Sequence, residues 1–178
     1  MPRLQKIQPS EATGGVREMY DDLEAQLGGV PNIFQGLANS PAGLGGYLAL
    51  DKLIAEGELG QAEQEIVRLV VSQHNGCHYC LAAHTRAGEA KGLDQEAMLD
   101  VRRGQSGDPD TRALVTFTRR VLENRGNVTD GDLADFREAG YTDAHVVEVL
   151  TIIAQKTLSN YFNHVNQTEL DFPSAPSL

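Results

Sequence analysis

The chain has two cysteines, Cys77 and Cys80, and two residues separate them. A close pair of this kind reads as dithiol redox chemistry or as half of a metal site. Asn75-Gly76, just before the pair, breaks one helical run and starts another, which sets Cys77 near the first turn of the new helix. Unpaired backbone N–H groups and the helix dipole favour an anion there, and a thiolate is the reactive form of cysteine. Cys80 follows at i+3 and His84 lies four residues further on, so both sulfurs and the imidazole share one helix face. Histidine can give or take a proton near neutral pH. Glu65 lies on the preceding helix, flanked by Ile66 and one turn before Leu69. An ionisable group on a largely apolar face needs a partner to be buried. Packing the two helices together could bring Glu65 to His84, and a Glu–His–Cys relay would then orient the imidazole and help deprotonate a thiol.

Those four residues need helices to position them, and helices are what the chain encodes. Strand-like alternation is scarce and helix formers dominate the long segments. Prolines are absent from residues 42–108 and 110–172. The pattern predicts helices near 14–27, 31–39, 41–57, 60–75, 78–91, 94–103, 109–125, 129–139 and 142–168. Ser40, Asp108, Thr129 and Thr142 stand where N-caps belong, and Gly28, Gly92, Gly104 and Gly140 where helices should end. The stretches 65–72 and 146–154 are the most apolar, as expected of central or interface helices. The segment 104–110 reads as a linker between two halves, about 11–103 and 109–170, of one domain spanning 1–178. The halves resemble degenerate helical repeats. A shift of 83 puts Glu148 on Glu65, Asn160 on Cys77 and Asn163 on Cys80, whereas a shift of 82 matches Ala62 with Ala144, Gln73 with Gln155 and Tyr79 with Tyr161; in either register the second copy would keep scaffold without thiols.

With 15 Lys+Arg against 25 Asp+Glu, the chain carries a net charge of -10. That argues against a nucleic-acid partner, whose binding needs a basic face, and disfavours an anionic membrane surface. No apolar run approaches the roughly 20 residues that span a bilayer, and MPRLQKIQPS has no apolar signal core. A cytoplasmic protein without membrane attachment is the expectation.

The pattern Glu65-x11-Cys77-x2-Cys80-x3-His84 resembles the alkylhydroperoxidase D (AhpD)-like family, within the carboxymuconolactone decarboxylase superfamily, and its peroxidase-related members in particular. Residues 28–42, GGVPNIFQGLANSPA, resemble the segment that precedes the motif in those members, and 160–173, NYFNHVNQTELDFP, their C-terminal helix and tail. The resemblance implies an all-α, AhpD-like helical bundle assembled as a trimer or hexamer. It implies reduction of a hydroperoxide substrate through a thiol–disulfide cycle without a cofactor, re-reduced by a lipoyl- or thioredoxin-like dithiol protein. By position, Cys80 would attack the peroxide and pass through sulfenic acid, Cys77 would resolve it and could donate a proton, and Glu65 and His84 would form the proton relay. AhpD itself has a histidine before its second cysteine. Here Tyr79 stands there, a poor base at neutral pH, and His78 lies one residue earlier, about 100° round a helix.

Two other chemistries use the same residues. His74, Cys77, Cys80 and His84 are all zinc-ligand types, but zinc needs them within about 2.3 Å of one point, and only a sharp break at Gly76 could bring His74 back. A non-catalytic CxxC sensor needs the same accessible low-pKa thiol as a peroxidase; turnover separates the two.

Overall fold

The computed structural model describes all residues 1–178, and every regular element is helical. After a short 3-10 turn at Pro9–Glu11 come α1 (Gly14–Leu27), α2 (Asn32–Leu37), α3 (Pro41–Ala55), α4 (Gln61–His74), α5 (His78–Ala90), α6 (Gln95–Arg103), α7 (Pro109–Glu123), α8 (Asp130–Glu138) and α9 (Asp143–Asn166). All nine expected helices are present, and the all-α class holds. Their starts follow from side-chain chemistry. Ser40, Asp108, Thr129 and Thr142 accept from the backbone N–H of Gly43, Thr111, Asp132 and His145, each satisfying an otherwise orphaned donor.

The differences lie at helix ends. α3 stops at Ala55 because the amides that follow have another acceptor: Glu148 of α9 takes the N–H of Glu58 at 2.7 Å and of Leu59 at 2.8 Å. α9 stops at Asn166, where Gln167 turns left-handed. The tail beyond it is irregular, but it is tied down. Asp171 accepts from the Asn32 N–H, and the Pro176 carbonyl accepts from Arg102 at 2.6 Å.

α4 is the central helix, packed against α5, α6, α7 and α9. Every residue from Gln64 to Ser72 is buried, including the polar positions Gln64, Arg68 and Ser72 that a one-sided helix would give to solvent. α9 differs in kind. Val149 and Ile152 are fully buried, whereas Val147, Leu150, Leu158, Tyr161 and Val165 are exposed. The stretch 146–154 is thus apolar on both sides, with one side packed and the other open.

The apolar interior falls into two clusters. The larger gathers α4 and α6–α9, and the smaller gathers α1–α3 together with Cys77, Tyr79 and Cys80. The turn between α4 and α5 crosses from one to the other, and Gly76 makes that crossing at φ +67, a conformation open to glycine. No helix is long and apolar enough to cross a membrane.

In the larger cluster Phe136 is stacked between Phe117 and Tyr141, at centroid distances of 4.2 and 4.4 Å. It is 1% exposed. Phe136→Ala is expected to lower stability by about 3–5 kcal/mol, measured by urea denaturation. A loss below about 1 kcal/mol would mean that the stack closes over the gap.

Candidate active site

Glu65, Cys77, Cys80 and His84 come together where α4, α5 and α9 meet. Cys77 is the N-cap of α5, and its Sγ accepts from the Cys80 N–H at 3.4 Å. Both sulfurs are buried and reduced. Asn163 of α9 reaches both, with Nδ2 at 3.2 Å from Cys80 Sγ and 3.8 Å from Cys77 Sγ. Ser159 Oγ lies 4.0 Å from Cys80 Sγ. The thiols therefore sit under a polar stripe of α9, and Asn163, the residue laid on Cys80 by the half-on-half comparison, is in contact with it.

Glu65 is 4% exposed and both its oxygens are engaged. Oε1 accepts from Arg68 Nη1 at 2.6 Å, and Oε2 faces His84 Nδ1 at 2.8 Å. Burial alone would raise the carboxyl pKa; the facing His84 and Arg68 outweigh it and hold the group at about 2, ionised throughout the neutral range. Arg68 continues outward to Asp51 at 3.0 Å, and Asp51 also accepts from Gln155 at 2.9 Å. On its other side His84 meets Lys156, with Nζ 3.1 Å from Nε2. Lys156 Nζ also donates to Tyr47 OH at 2.6 Å. The imidazole pKa is lowered by burial first and by the Lys156 charge second, which makes neutral His84 the form at pH 7. No hydrogen bond joins His84 to either thiol, because Lys156 occupies the place at Nε2 that a direct Glu–His–Cys relay would give to sulfur.

The thiols are driven apart. Cys80 is lowered chiefly by its hydrogen bond with Cys77, then, against the penalty of burial, by the Lys156 charge and by Asn163. Cys77 is raised by the same shared hydrogen bond and by burial. Helix-start stabilisation was expected to favour an anion at Cys77. The Cys80 N–H does point at its sulfur, but the cation and the amide donor of α9 put the charge on Cys80 instead.

The remaining candidates lie elsewhere. Tyr79 is buried, donates its hydroxyl to Asp171 and stacks edge-on with Phe172. Burial first and Asp171 second push the phenol well above its ordinary value, so Tyr79 is a tie to the tail and no base. His78 and His74 are exposed. No three His, Cys, Asp or Glu side chains converge to hold a metal, so the zinc alternative lacks the meeting point it requires. A depression of about 310 Å3 opens on Cys77 and is walled by His78, Tyr79, Asn163 and His164. Cys80 does not line it.

Lys156, Tyr47, Asn163 and Ser159 were not anticipated as site residues. One signal was available. In 149–166 the residues Gln155, Lys156, Ser159, Asn160, Asn163 and Asn166 recur at three and four positions, a polar stripe on a helix whose other stripe is apolar, and all six are buried.

Residues 41–106 match the carboxymuconolactone decarboxylase family. No curated protein matches the chain by sequence. Among solved structures, the chain is similar to an uncharacterized peroxidase-related protein with an alkylhydroperoxidase AhpD core from Ralstonia eutropha JMP134, at 23% identity and TM-score 0.87 over 96% of this chain and 92% of that one. An uncharacterized peroxidase-related protein from Silicibacter sp. TM1040 is similar at 19% identity and TM-score 0.79, covering 95% and 94%. The debrominase Bmp8 in complex with 2,3,4-tribromopyrrole is similar at 15% identity and TM-score 0.81, covering 96% and 92%. At these identities the structures share the fold. The stretch that matches the carboxymuconolactone decarboxylase family carries Glu65, Cys77, Cys80 and His84, and the chain around it has the fold of the AhpD-core, peroxidase-related structures.

Proposed function

We propose that the protein is a thiol-dependent peroxidase that reduces alkyl hydroperoxides. The observation that supports this most is the paired thiols under Asn163, with His84 one turn along α5 held by the buried Glu65; in that setting Cys80 is lowered toward thiolate while Cys77 is held as thiol. A thiolate is the attacking form and a neighbouring thiol is the resolving one.

The cycle balances as follows. Cys80 Sγ attacks the terminal oxygen of ROOH, the O–O bond breaks, and Cys80 becomes a sulfenic acid. The alkoxide leaves with the proton of Cys77. Cys77, now a thiolate, attacks the Cys80 sulfur and expels hydroxide, which takes a proton to give water and leaves the Cys77–Cys80 disulfide. A dithiol then supplies two electrons, restores Cys77 thiol and Cys80 thiolate, and releases the proton that the oxidative half consumed. The Glu65–His84 relay for that proton meets the thiols by way of Lys156, which holds His84 Nε2. Of the two cysteines Cys77 is the one that lines the depression, so this cycle assigns it the exchange with the external dithiol.

Cys80→Ser should abolish hydroperoxide consumption with a dithiol donor. Cys77→Ser should give one round of oxidation, trapped as sulfenic acid on Cys80 and read by dimedone labelling and mass spectrometry. Sulfenic acid on Cys77 in Cys80→Ser, with Cys77→Ser inert, reverses the roles. Full turnover by both variants removes the pair from the reaction. Oxidation without turnover makes the protein a sensor. The fold is shared with a debrominase, so loss of bromide from 2,3,4-tribromopyrrole without consumption of hydroperoxide would overturn the peroxidase reading and keep the dithiol.

The pH dependence has a definite sign. A lowered thiol pKa keeps Cys80 reactive at neutral pH and loses reactivity only as pH falls through the depressed value. Iodoacetamide should therefore modify Cys80 at nearly the same rate at pH 7 and pH 9. An ordinary thiol with pKa near 8.5 would gain roughly 25-fold over that interval, and such a gain would show that no thiolate is preformed.

The open apolar face of α9 supports assembly as a homo-oligomer. Sedimentation at micromolar concentration should show a species larger than the 19.3 kDa chain; a clean monomer would mean that this face stays in solvent.

A further inference from the structure

Lys156 is a lysine 1% exposed in the interior of a 24-residue helix. Burying an ammonium is expensive unless it is paired, and no carboxylate pairs with this one. Both oxygens of Glu65 are taken by Arg68 and His84. Asp51 is turned to Arg68 and Gln155, with its own side chain 48% exposed. The contacts that Lys156 does make are to Tyr47 OH on α3 and to His84 Nε2 on α5. Cys80 lies one helical turn before His84 on the same face of α5, and it sits against Ser159 and Asn163 on the face of α9 that carries Lys156. Ser159 also donates to the Lys156 carbonyl at 3.1 Å. Lys156 therefore lies in the α5–α9 seam that His84 and Cys80 share, in contact with His84 and one turn of α9 from Ser159 beside Cys80.

We propose that Lys156 is a positioning residue of the thiol site: its ammonium is the counter-charge of the Cys80 thiolate, and its hydrogen bond to Nε2 fixes His84 with the proton on Nδ1, so that the Glu65–His84 pair acts on Cys80 through Lys156. The buried charges then close. Glu65 balances Arg68, and Cys80 balances Lys156, while His84 between them is neutral. With Nε2 accepting from the ammonium, Nδ1–H must donate to Glu65, and one tautomer satisfies both neighbours. The Lys156 charge is also among the effects that lower Cys80. The titratable groups facing this seam are Tyr47 from α3, Glu65 and Arg68 from α4, and Cys80 and His84 from α5. Cys77, at the start of α5, faces it through Cys80.

The inference deepens the peroxidase reading and rests on it for its purpose, but its test needs no peroxide. In reduced Lys156→Met, alkylation of Cys80 at pH 7, located by fragment mass spectrometry, should slow about tenfold and recover by pH 9. Lys156→Arg should keep most of the neutral-pH rate, since it restores the charge. A merely structural role would slow both pH values alike and give Arg no advantage. Circular dichroism checks that each variant folds. Should Lys156→Met not fold, imidazole 15N chemical shifts of the wild-type protein at pH 7 decide instead. His84 should be neutral with the proton on Nδ1; a proton on Nε2, alone or on both nitrogens, overturns the inference, as does an unchanged alkylation profile in Lys156→Met. Loss of the peroxidase reading would appear separately, as turnover surviving in Cys80→Ser.

Discussion

Glu65 carries its charge at 4% exposure, on a helix buried along nine consecutive residues. A carboxylate in that position must find donors within the protein, since water cannot serve it. It finds two, and each fixes something beyond itself. Arg68, one turn along α4, neutralises the charge and carries the network out to Asp51 near the surface. His84 orients its ring to reach the second oxygen, which decides where its other nitrogen points and hence what can lie between α5 and α9. The packing of α5 on α4 and the electrostatics of the thiols are in this sense one constraint. Removing the carboxylate would leave Arg68 buried and deprive the imidazole of its orienting partner at once.

The site also depends on where the thiols sit relative to the two apolar clusters. Cys77 and Cys80 pack with α1–α3, while the helix before them packs with α6–α9. A sulfur pair in the middle of either cluster would be inert, because burial in apolar surroundings raises a thiol's pKa. At the junction, one side can be lined by the polar stripe of α9 while the other stays dry. The tail reinforces the arrangement from outside. Asp171 joins Tyr79 of α5 to the backbone of α2, and Phe172 lies beside Tyr79 and beneath the Arg86 guanidinium.

Much of this was legible in the sequence, and the limits have physical causes. Caps and glycines marked the helix boundaries because they act locally. Thr142 and Gly140 need only their neighbours to start and stop a chain segment. The spacing of Cys77, Cys80 and His84 follows from one helix, and Glu65 from the helix beside it. Glu148 was not readable as the acceptor that ends α3, because it acts across ninety residues and looks like any exposed helix glutamate. Arg68 and Gln64 read as polar positions of an amphipathic helix. Their burial depends on how many helices surround α4, which periodicity does not report. Lys156 was hidden for the same reason: a lone lysine beside an apolar stretch looks like a solvated face until the packing of α9 is known.

Two influences compete to decide which cysteine ionises. The start of α5 favours Cys77, which is the N-cap residue and accepts an amide N–H from Cys80. That contact is a single neutral donor at 3.4 Å, at the long end for a hydrogen bond to oxygen and ordinary for sulfur. Cys80 accepts from the Asn163 amide at 3.2 Å, shares the hydrogen bond of the pair, and lies beside a cation in a region of low dielectric. A full charge in such surroundings outweighs the partial charge of a helix terminus, whose effect is commonly about 0.3–1 kcal/mol. The sulfur nearer the helix end thus stays protonated, and the one a turn further along α5 carries the charge. That inversion suits the proposed two-step cycle, which needs a thiolate to attack and, beside it, a thiol that still holds a proton to give.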